Sequence, residues 1–434
     1  MEGSVEPLGT LRRYTIKGLF GSRNTSFWLE RQAPTLLTGS NGTGKSTVLK
    51  TIDAIGTGKW ADLHRLPFQS LILKFTDHRL SVQKLGDEFV VQLDDEECRF
   101  DPRVLEGFSR HVADPSISAR DRQAWIHGAA ASDVSDRRAR ERLLAMEVDL
   151  PDWLSTIPAR FPVLFVTDQR LIVQPPDGHG NRPPQDRPRR PDMPREEDIR
   201  TAVQQYATDL RDKIRSQLWR YSRRAQLLDS AFPKKVVERM SRQRPIGRKE
   251  LSDLRETVEA RRQMLAYVGL LEGTSPADFD EALLEQESVR AVVYAFEKDM
   301  LAKYEVLDDF RKQLQAFLEF LNEHYEGKQV KVDPAVGFTL LLPSGDTLDP
   351  ASLSSGEQQM LVLAYQVMFL ASPGTLVLID EPEISLHVMW QDRLVDQLTE
   401  MSRARDLTFV LATHSPSLIG ARETLKRSLD PKVR

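Results

Sequence analysis

Residues 39–46 read Gly39-Ser40-Asn41-Gly42-Thr43-Gly44-Lys45-Ser46, and Thr47 follows. The apolar run Pro34 to Thr38 precedes this loop. From Ser46 onward Leu49, Ile52 and Ile55 recur at intervals of three, one face of a helix. Strand, glycine-rich loop and helix in that order form the setting in which G-x-x-x-x-G-K-[ST] cradles phosphate. The glycines let backbone N–H groups ring a β-phosphate, Lys45 brings a point charge to the β/γ oxygens, and Ser46 offers its hydroxyl to Mg²⁺. The stretch therefore predicts an α/β fold with a triphosphate held by Gly39, Asn41, Gly42, Gly44, Lys45, Ser46 and Thr47.

A second set of residues follows strand ends elsewhere in the chain. Leu376 to Ile379 is an apolar strand that runs into Asp380 and Glu381, placed to anchor the hydration shell of Mg²⁺ and to polarise an attacking water. His414, in LATHSP, follows the last apolar strand, and Gln169, in FVTDQRL, follows Val163 to Val166. The stretch LSSGEQQ, residues 353–359, is a polar turn that opens an apolar helix, and its N–H groups and serine hydroxyls suit an anion. Since the phosphate cradle lies at the other end of the chain, this turn poses the question of whose phosphate it serves.

The chain has 434 residues, 29% charged and 40% hydrophobic, with a formal net charge of -4. That balance excludes a generally basic nucleic-acid binder, so a nucleic-acid surface, if present, is local. Cys98 is the single cysteine, which excludes an intrachain disulfide and a thiolate zinc site and fits a reducing cytoplasm. The N-terminal residues have no apolar segment of the secretory kind. Met360 to Asp380 is apolar but broken by Gln366 and by Ser372-Pro373-Gly374, so it reads as a buried helix, a turn and a buried strand.

Arg13 to Leu29 reads as two short strands around a turn, and Ser70 to Asp94 as an antiparallel meander of three segments. Arg103 to Ser155 is charged and helix-prone. Pro175 to Arg195 has too many prolines and too few apolar groups to fold alone. Beyond it, Ile199, Val203, Tyr206, Leu210, Ile214, Leu218 and Tyr221, and then Leu307, Phe310, Leu314, Phe317, Leu321 and Tyr325, form helical stripes. QVKVD and GFTLLL return to strand patterning. The expected organisation is a core half at 1–173, a flexible loop at 174–195, a helical insertion folded back on itself at 196–327, and the other core half at 328–434. RPRRP, from Arg187, and RSQLWRYSRR, from Arg215, are the basic segments that would meet nucleic acid, although Trp219 and Tyr221 are expected in the core of their helix.

In their order along the chain, GSNGTGKS, FVTDQRL, LSSGEQQ, TLVLIDEPE and ATHS resemble the motifs of an ABC-type P-loop ATPase head. The resemblance implies ATP and Mg²⁺ as ligands, Gln169 as the residue sensing Mg²⁺ and γ-phosphate, Glu381 as catalytic base and His414 as switch histidine. Ser46, Gln169 and Asp380 would attend the metal. It also implies a head-to-tail homodimer in which Ser354, Ser355, Gly356 and Glu357 complete the partner's nucleotide site. Ser355 stands where glycine is usual in that family and Glu357 where glutamine is usual.

The meander and the helical insertion between the P-loop and LSSGEQQ, the family's signature turn, resemble the SMC, Rad50 and OLD branch, of the AAA15 or AAA21 type, with its antiparallel β subdomain and helical insertion. DEPEISLHVMWQ with LSSGEQQ looks most like the ATPase subunits of bacterial antiphage systems such as Septu, its retron-associated version included, with PARIS nearby. Ser385 to His387 would be the loop at the dimer interface. The residues after His414 leave no room for the Toprim nuclease of OLD proteins, so a nuclease or toxin effector is expected on a separate protein, with no membrane partner. The alternatives are an SMC-like DNA repair ATPase and a scaffold for which ATP is a structural ligand.

Overall fold

The runs TLLT, VLFV, LVLID and TFVLA carry too few polar residues to face water on either side, and such strands belong in a parallel sheet covered by helices. The computed structural model describes residues 6–105, 150–167, 196–241, 245–272, 282–384, 386, 388–420 and 422–430. Gln169, the stretch 174–195, Ser385 and His387, and most of the helix-prone stretch after Arg103 lie outside the described residues. The chain divides into two compact units, one made of Met1–Arg170, Gln174–Asp186 and Leu370–Arg434, the other of Leu171–Val173 and Arg187–Phe369.

In the first unit the apolar runs are β3 (Thr35–Thr38), β8 (Val163–Val166), β12 (Leu376–Asp380) and β13 (Thr408–Ala412). With β14 (Lys426–Ser428) they form a parallel sheet in the order β14-β3-β13-β12-β8. Register pairs Asp380 with Ala412 and Ala412 with Leu37, so the carboxyl ends of β12, β13 and β3 are level with one another. Helix α1 (Lys45–Gly56) packs on this sheet through Val48, Leu49, Ile52 and Ile55, all fully buried. Two short helices, α2 (Trp60–Arg65) and α3 (Asp152–Arg160), flank it, and α9 (Val388–Arg405) and α10 (Pro416–Ile419) follow β12 and β13.

The antiparallel sheet is larger than the expected meander. The three segments are β4 (Ser70–Phe75), β5 (Arg79–Leu85) and β6 (Glu88–Leu93), to which β7 (Glu96–Phe100) adds a fourth. The N-terminal pair β1 (Leu11–Leu19) and β2 (Arg23–Trp28) joins on the other side, giving the order β2-β1-β4-β5-β6-β7. The physical reason is the period-two pattern of β1: Tyr14 and Ile16 point to the face already occupied by Leu71, Leu73, Leu80, Val82, Phe89 and Val91. Each such side chain contributes about 2 kcal/mol by leaving water. Burial pushes the Tyr14 hydroxyl pKa far up, and that hydroxyl shares a 2.7 Å hydrogen bond with Thr51 on α1.

The second unit comprises α4 (Glu196–Ser241), α5 (Arg248–Tyr267), α6 (Glu287–Tyr304), α7 (Asp308–His324), α8 (Ser355–Tyr365) and the small sheet β11-β10-β9, with β9 Gln329–Asp333, β10 Gly337–Leu341 and β11 Thr347–Leu348. The helices fold back on one another: α4 and α5 both pack on α6, and Lys235–Asp299 (2.6 Å) and Lys303–Asp229 (2.7 Å) tie α4 to α6. Of the α4 stripe, Val203, Leu210 and Ile214 are buried, and the stripe from Leu307 to Tyr325 is buried throughout. Gly337 adopts φ 98°, and a Cβ there would lie 2.0 Å from the Ala207 carbonyl oxygen, so α4 meets β10 at backbone distance. Trp219 corrects the sequence expectation, being 63% exposed with the Arg223 guanidinium 5.6 Å from its ring. The helical period turns it off the stripe that carries Ile214, Leu218 and the half-buried Tyr221.

Candidate functional site

The loop after β3 is shaped by what its glycines allow. Gly42 and Gly44 sit at φ 78° and 99°, conformations that L side chains avoid. A Cβ on Gly44 would lie 2.9 Å from Leu19 Cδ2 and 3.0 Å from Phe20 Cε2, so the loop is pressed against the β1–β2 turn. Thr43 N–H donates to the Ser40 carbonyl at 3.2 Å, which closes the loop as a turn. Lys45 is 6% exposed and donates from Nζ to the Gly39 carbonyl at 2.8 Å, crossing the mouth of the loop. Asn41 and Gly42 are exposed at the loop's tip, and Ser46 and Thr47 are half-buried at the start of α1. The arrangement fits a nucleotide's phosphates: a ring of backbone N–H groups, the amino end of a helix and one buried ammonium, with Cβ atoms excluded at Gly39 and Gly44.

Asp380 ends β12 at 5% exposure, and Glu381 follows at φ 45° with its N–H donated to the Ala412 carbonyl at 2.9 Å. A left-handed conformation at a residue with a Cβ costs about 1–2 kcal/mol, and Glu381 adopts it just past the carboxyl end of β12. His414, two residues past β13, brings Nδ1 to 3.6 Å from Glu381 Oε1 and 3.5 Å from Glu383 Oε1. Beyond hydrogen-bonding length, these contacts can shorten when a ligand enters. The structure thus brings Lys45, Ser46, Asp380, Glu381 and His414 to the carboxyl ends of three neighbouring parallel strands, where α/β sheets bind ligands.

Ser354 to Glu357 belong to the second unit, where they open α8. Ser354 is the N-cap and Glu357 the third helical residue, and they form a reciprocal capping box. Glu357 Oε2 accepts the Ser354 N–H and hydroxyl, each at 2.9 Å, and Glu357 Oε1 takes Lys328 Nζ at 2.6 Å. Burial alone would raise the Glu357 pKa, but the bonds from Lys328 and Ser354 hold it below the usual glutamate range. Ser354 and Ser355 are exposed, Gly356 and Glu357 buried, so the turn presents serines while its acid faces inward.

Three residues near the phosphate loop and β12 escaped sequence reasoning. Glu383, 9% exposed, accepts on one oxygen the Thr413 hydroxyl at 2.8 Å, the His414 N–H at 3.0 Å and the Ser415 N–H at 3.2 Å. Its signal was the third acid of DEPE, carried past the strand end by Pro382. Asp430 accepts the Ser40 N–H at 2.9 Å, a bond that holds its carboxyl below the usual range, yet nothing in the sequence near Asp430 announces a loop so far upstream. Phe20, at φ 51° and 47% exposed, reaches the P-loop glycine Gly44 from a turn that reads only as a turn.

A parallel sheet with these residues at its carboxyl ends defines a P-loop nucleotide-binding fold. The family model described as "AAA domain, putative AbiEii toxin, Type IV TA system" matches residues 181–420, more than half of the chain, and the chain belongs to that family. UvrABC system protein A of Staphylococcus epidermidis (strain ATCC 35984) is 31% identical over 154 residues, 34% of this chain and 14% of that protein. The thiamine import ATP-binding protein ThiQ of Chelativorans sp. (strain BNC1) is 34% identical over 91 residues, 21% of this chain and 35% of that protein. The chain therefore spans only a minor part of these curated relatives. Among solved structures, an SMC head bound to the C-winged helix domain of ScpA aligns at TM-score 0.41 and 12% identity over 94% of this chain and 91% of that one. The SMC head domain from Thermotoga maritima aligns at 0.37 and 12% over 95% and 92%.

Proposed function

We propose that the chain binds and hydrolyses ATP with Mg²⁺ at a site completed by a second copy of itself, and that this cycle regulates a separate nuclease or toxin effector in bacterial antiphage defence. The observation that carries the ATPase reading is the juxtaposition of Lys45, Asp380–Glu381 and His414 at the ends of β3, β12 and β13. In this reading Lys45 and the loop N–H groups hold the phosphates, Ser46, Asp380 and Gln169 attend the metal, and Glu381 takes the proton of the attacking water. The metal, when bound, neutralises phosphate charge. His414, next to Glu381 and anchored through its backbone by Glu383, orients that carboxylate and senses the γ-phosphate.

The exposed serines at the start of α8 support the shared site. Ser354 and Ser355 lie free of their own fold's core, at an amino helix end suited to phosphate, while Glu357 is turned inward by Lys328. The defence role rests on DEPEISLHVMWQ and on the family match, and fold does not settle it.

Mixing two inactive variants tests the shared site. Lys45→Ala removes the phosphate cation and Ser354→Arg blocks the signature turn, so each alone should be inactive. Head-to-tail pairing of one with the other rebuilds one intact site, and the mixture should recover about a quarter of the wild-type rate. A mixture as inactive as its components would sink the shared site. Hydrolysis stimulated by DNA without any partner protein would favour a DNA repair ATPase, and tight ATP binding without turnover a scaffold.

A further inference from the structure

The outer face of the antiparallel sheet is charged in an unusual way for a chain of net charge -4. Strands β1, β2, β4 and β5 carry arginines and lysines and not one acidic residue. Cross-strand register sets Trp28 opposite Arg13, Arg13 opposite Lys74 and Lys74 opposite Arg79, so one row across four strands reads tryptophan and then three cations. Like charges in directly opposed pairs destabilise a sheet. Here two such pairs stand side by side.

The row borders a groove of about 290 Å³ lined by Arg13, Thr15, Ile72, Lys74 and Arg79. No carboxylate lines it among the described residues, and Lys74 and Arg79 form no ion pair with any of them. Asp94 accepts the Arg79 backbone N–H at 2.8 Å, but its other oxygen is engaged by the His78 ring at 2.6 Å. Arg13 donates from Nε to Ser26 and lies 5.2 Å from the centre of the Trp28 ring, which is 52% exposed. The next row across the sheet offers Ser26, Thr15, Ile72, Ser81 and Gln92, mostly hydroxyl and amide groups, and meets a carboxylate only at Glu97 on β7, two strands beyond the β5 that carries Arg79.

We propose that this face binds a single strand of nucleic acid, with phosphates along the row Arg13, Lys74 and Arg79 and a base stacked on Trp28. The three cations span two strand spacings, about 10 Å, and Trp28 lies about 5 Å further on. An unpaired strand can follow that row while turning a base outward, and a stacking aromatic beside a basic track is the common form of such sites. The hydroxyl and amide row supplies contacts to sugar and phosphate. A membrane surface would take up apolar side chains, and between the cations the sheet offers only the partly buried Ile72. The surface is separate from the nucleotide site, so this inference stands or falls independently of the ATPase reading.

The test is fluorescence anisotropy of a labelled, mixed-sequence single-stranded oligonucleotide with the full chain, titrated at several salt concentrations. The combined variant Lys74→Gln and Arg79→Gln should weaken binding about tenfold or more and lower the salt slope by about one to two. The same variant should unfold at a higher urea concentration than wild type, because it relieves opposed like charges; a merely structural role for the cations predicts the reverse. Trp28→Ala should weaken binding while leaving the salt slope unchanged. Replacing Arg220, Arg223 and Arg224 on α4 by Gln should leave affinity within about twofold. No binding by wild type at low salt, loss of binding only in the α4 variant, or binding of phosphatidylserine vesicles in place of the oligonucleotide would each overturn the proposal.

Discussion

Replacing Glu383 by Ala removes a single oxygen that three donors share. Thr413 is fully buried, and its hydroxyl and the N–H groups of His414 and Ser415 all converge on Glu383 Oε1 at 2.8 to 3.2 Å. At about 1 kcal/mol net for each bond, Glu383→Ala should cost about 3 kcal/mol of stability, read as a lower midpoint in urea unfolding. The same bonds hold the backbone of His414, whose ring faces Glu381. Loosening them should lower kcat for ATP about tenfold to a hundredfold, since a displacement near 1 Å is enough for that. The P-loop is untouched, so KM should stay within about twofold. Glu383→Gln retains an oxygen in the same place and should recover most of both losses. An alanine variant that unfolds and turns over like wild type would refute the reasoning, as would a glutamine variant no better than alanine.

Gly44→Val should abolish nucleotide binding while leaving the fold intact by circular dichroism, because the new side chain would enter the contact with Leu19 and Phe20 at a φ it cannot hold; normal ATP affinity would contradict the loop geometry. Gly337→Ala should destabilise the second unit by several times the effect of an exposed substitution such as Trp219→Ala, which should stay within about 0.5 kcal/mol, as measured by urea unfolding. The depressed Glu357 pKa predicts an acid-sensitive α8. Since the folded pKa lies below the unfolded one, its stabilisation is fully present above the ordinary glutamate value of about 4.3 and is lost as pH falls through the depressed value. Glu357→Gln should flatten that part of the stability-against-pH curve, and an unchanged slope would show that the carboxylate contributes nothing there.

The elements nearest the phosphate loop were legible because local chemistry dictates them. Gly42 and Gly44 occupy conformations that other residues avoid, and Leu49, Ile52 and Ile55 repeat at a helical period, so sequence and structure agree there. The parallel strands were legible for the same reason, since runs such as LVLID have no polar side to show water. What the sequence concealed is long-range. That β1 would pair with β4, and Asp430 with Ser40, depends on register and chain return, which no local pattern encodes. The capping box of Ser354 and Glu357 was readable from its S-x-x-E spacing, whereas the bond from Lys328 that turns Glu357 inward joins residues 29 apart and has no local signal. Trp219 was misplaced because one residue along a helix turns a side chain by about 100°.

The most direct measurement is ATP hydrolysis, with molecular mass in the absence and presence of ATP and Mg²⁺, for wild type and Glu381→Gln. The account predicts turnover by wild type, its loss in Glu381→Gln with ATP affinity retained, and an ATP-stabilised dimer or dimer-based oligomer in both. Undiminished turnover in Glu381→Gln, or a wild-type monomer that binds ATP and never associates, would contradict it.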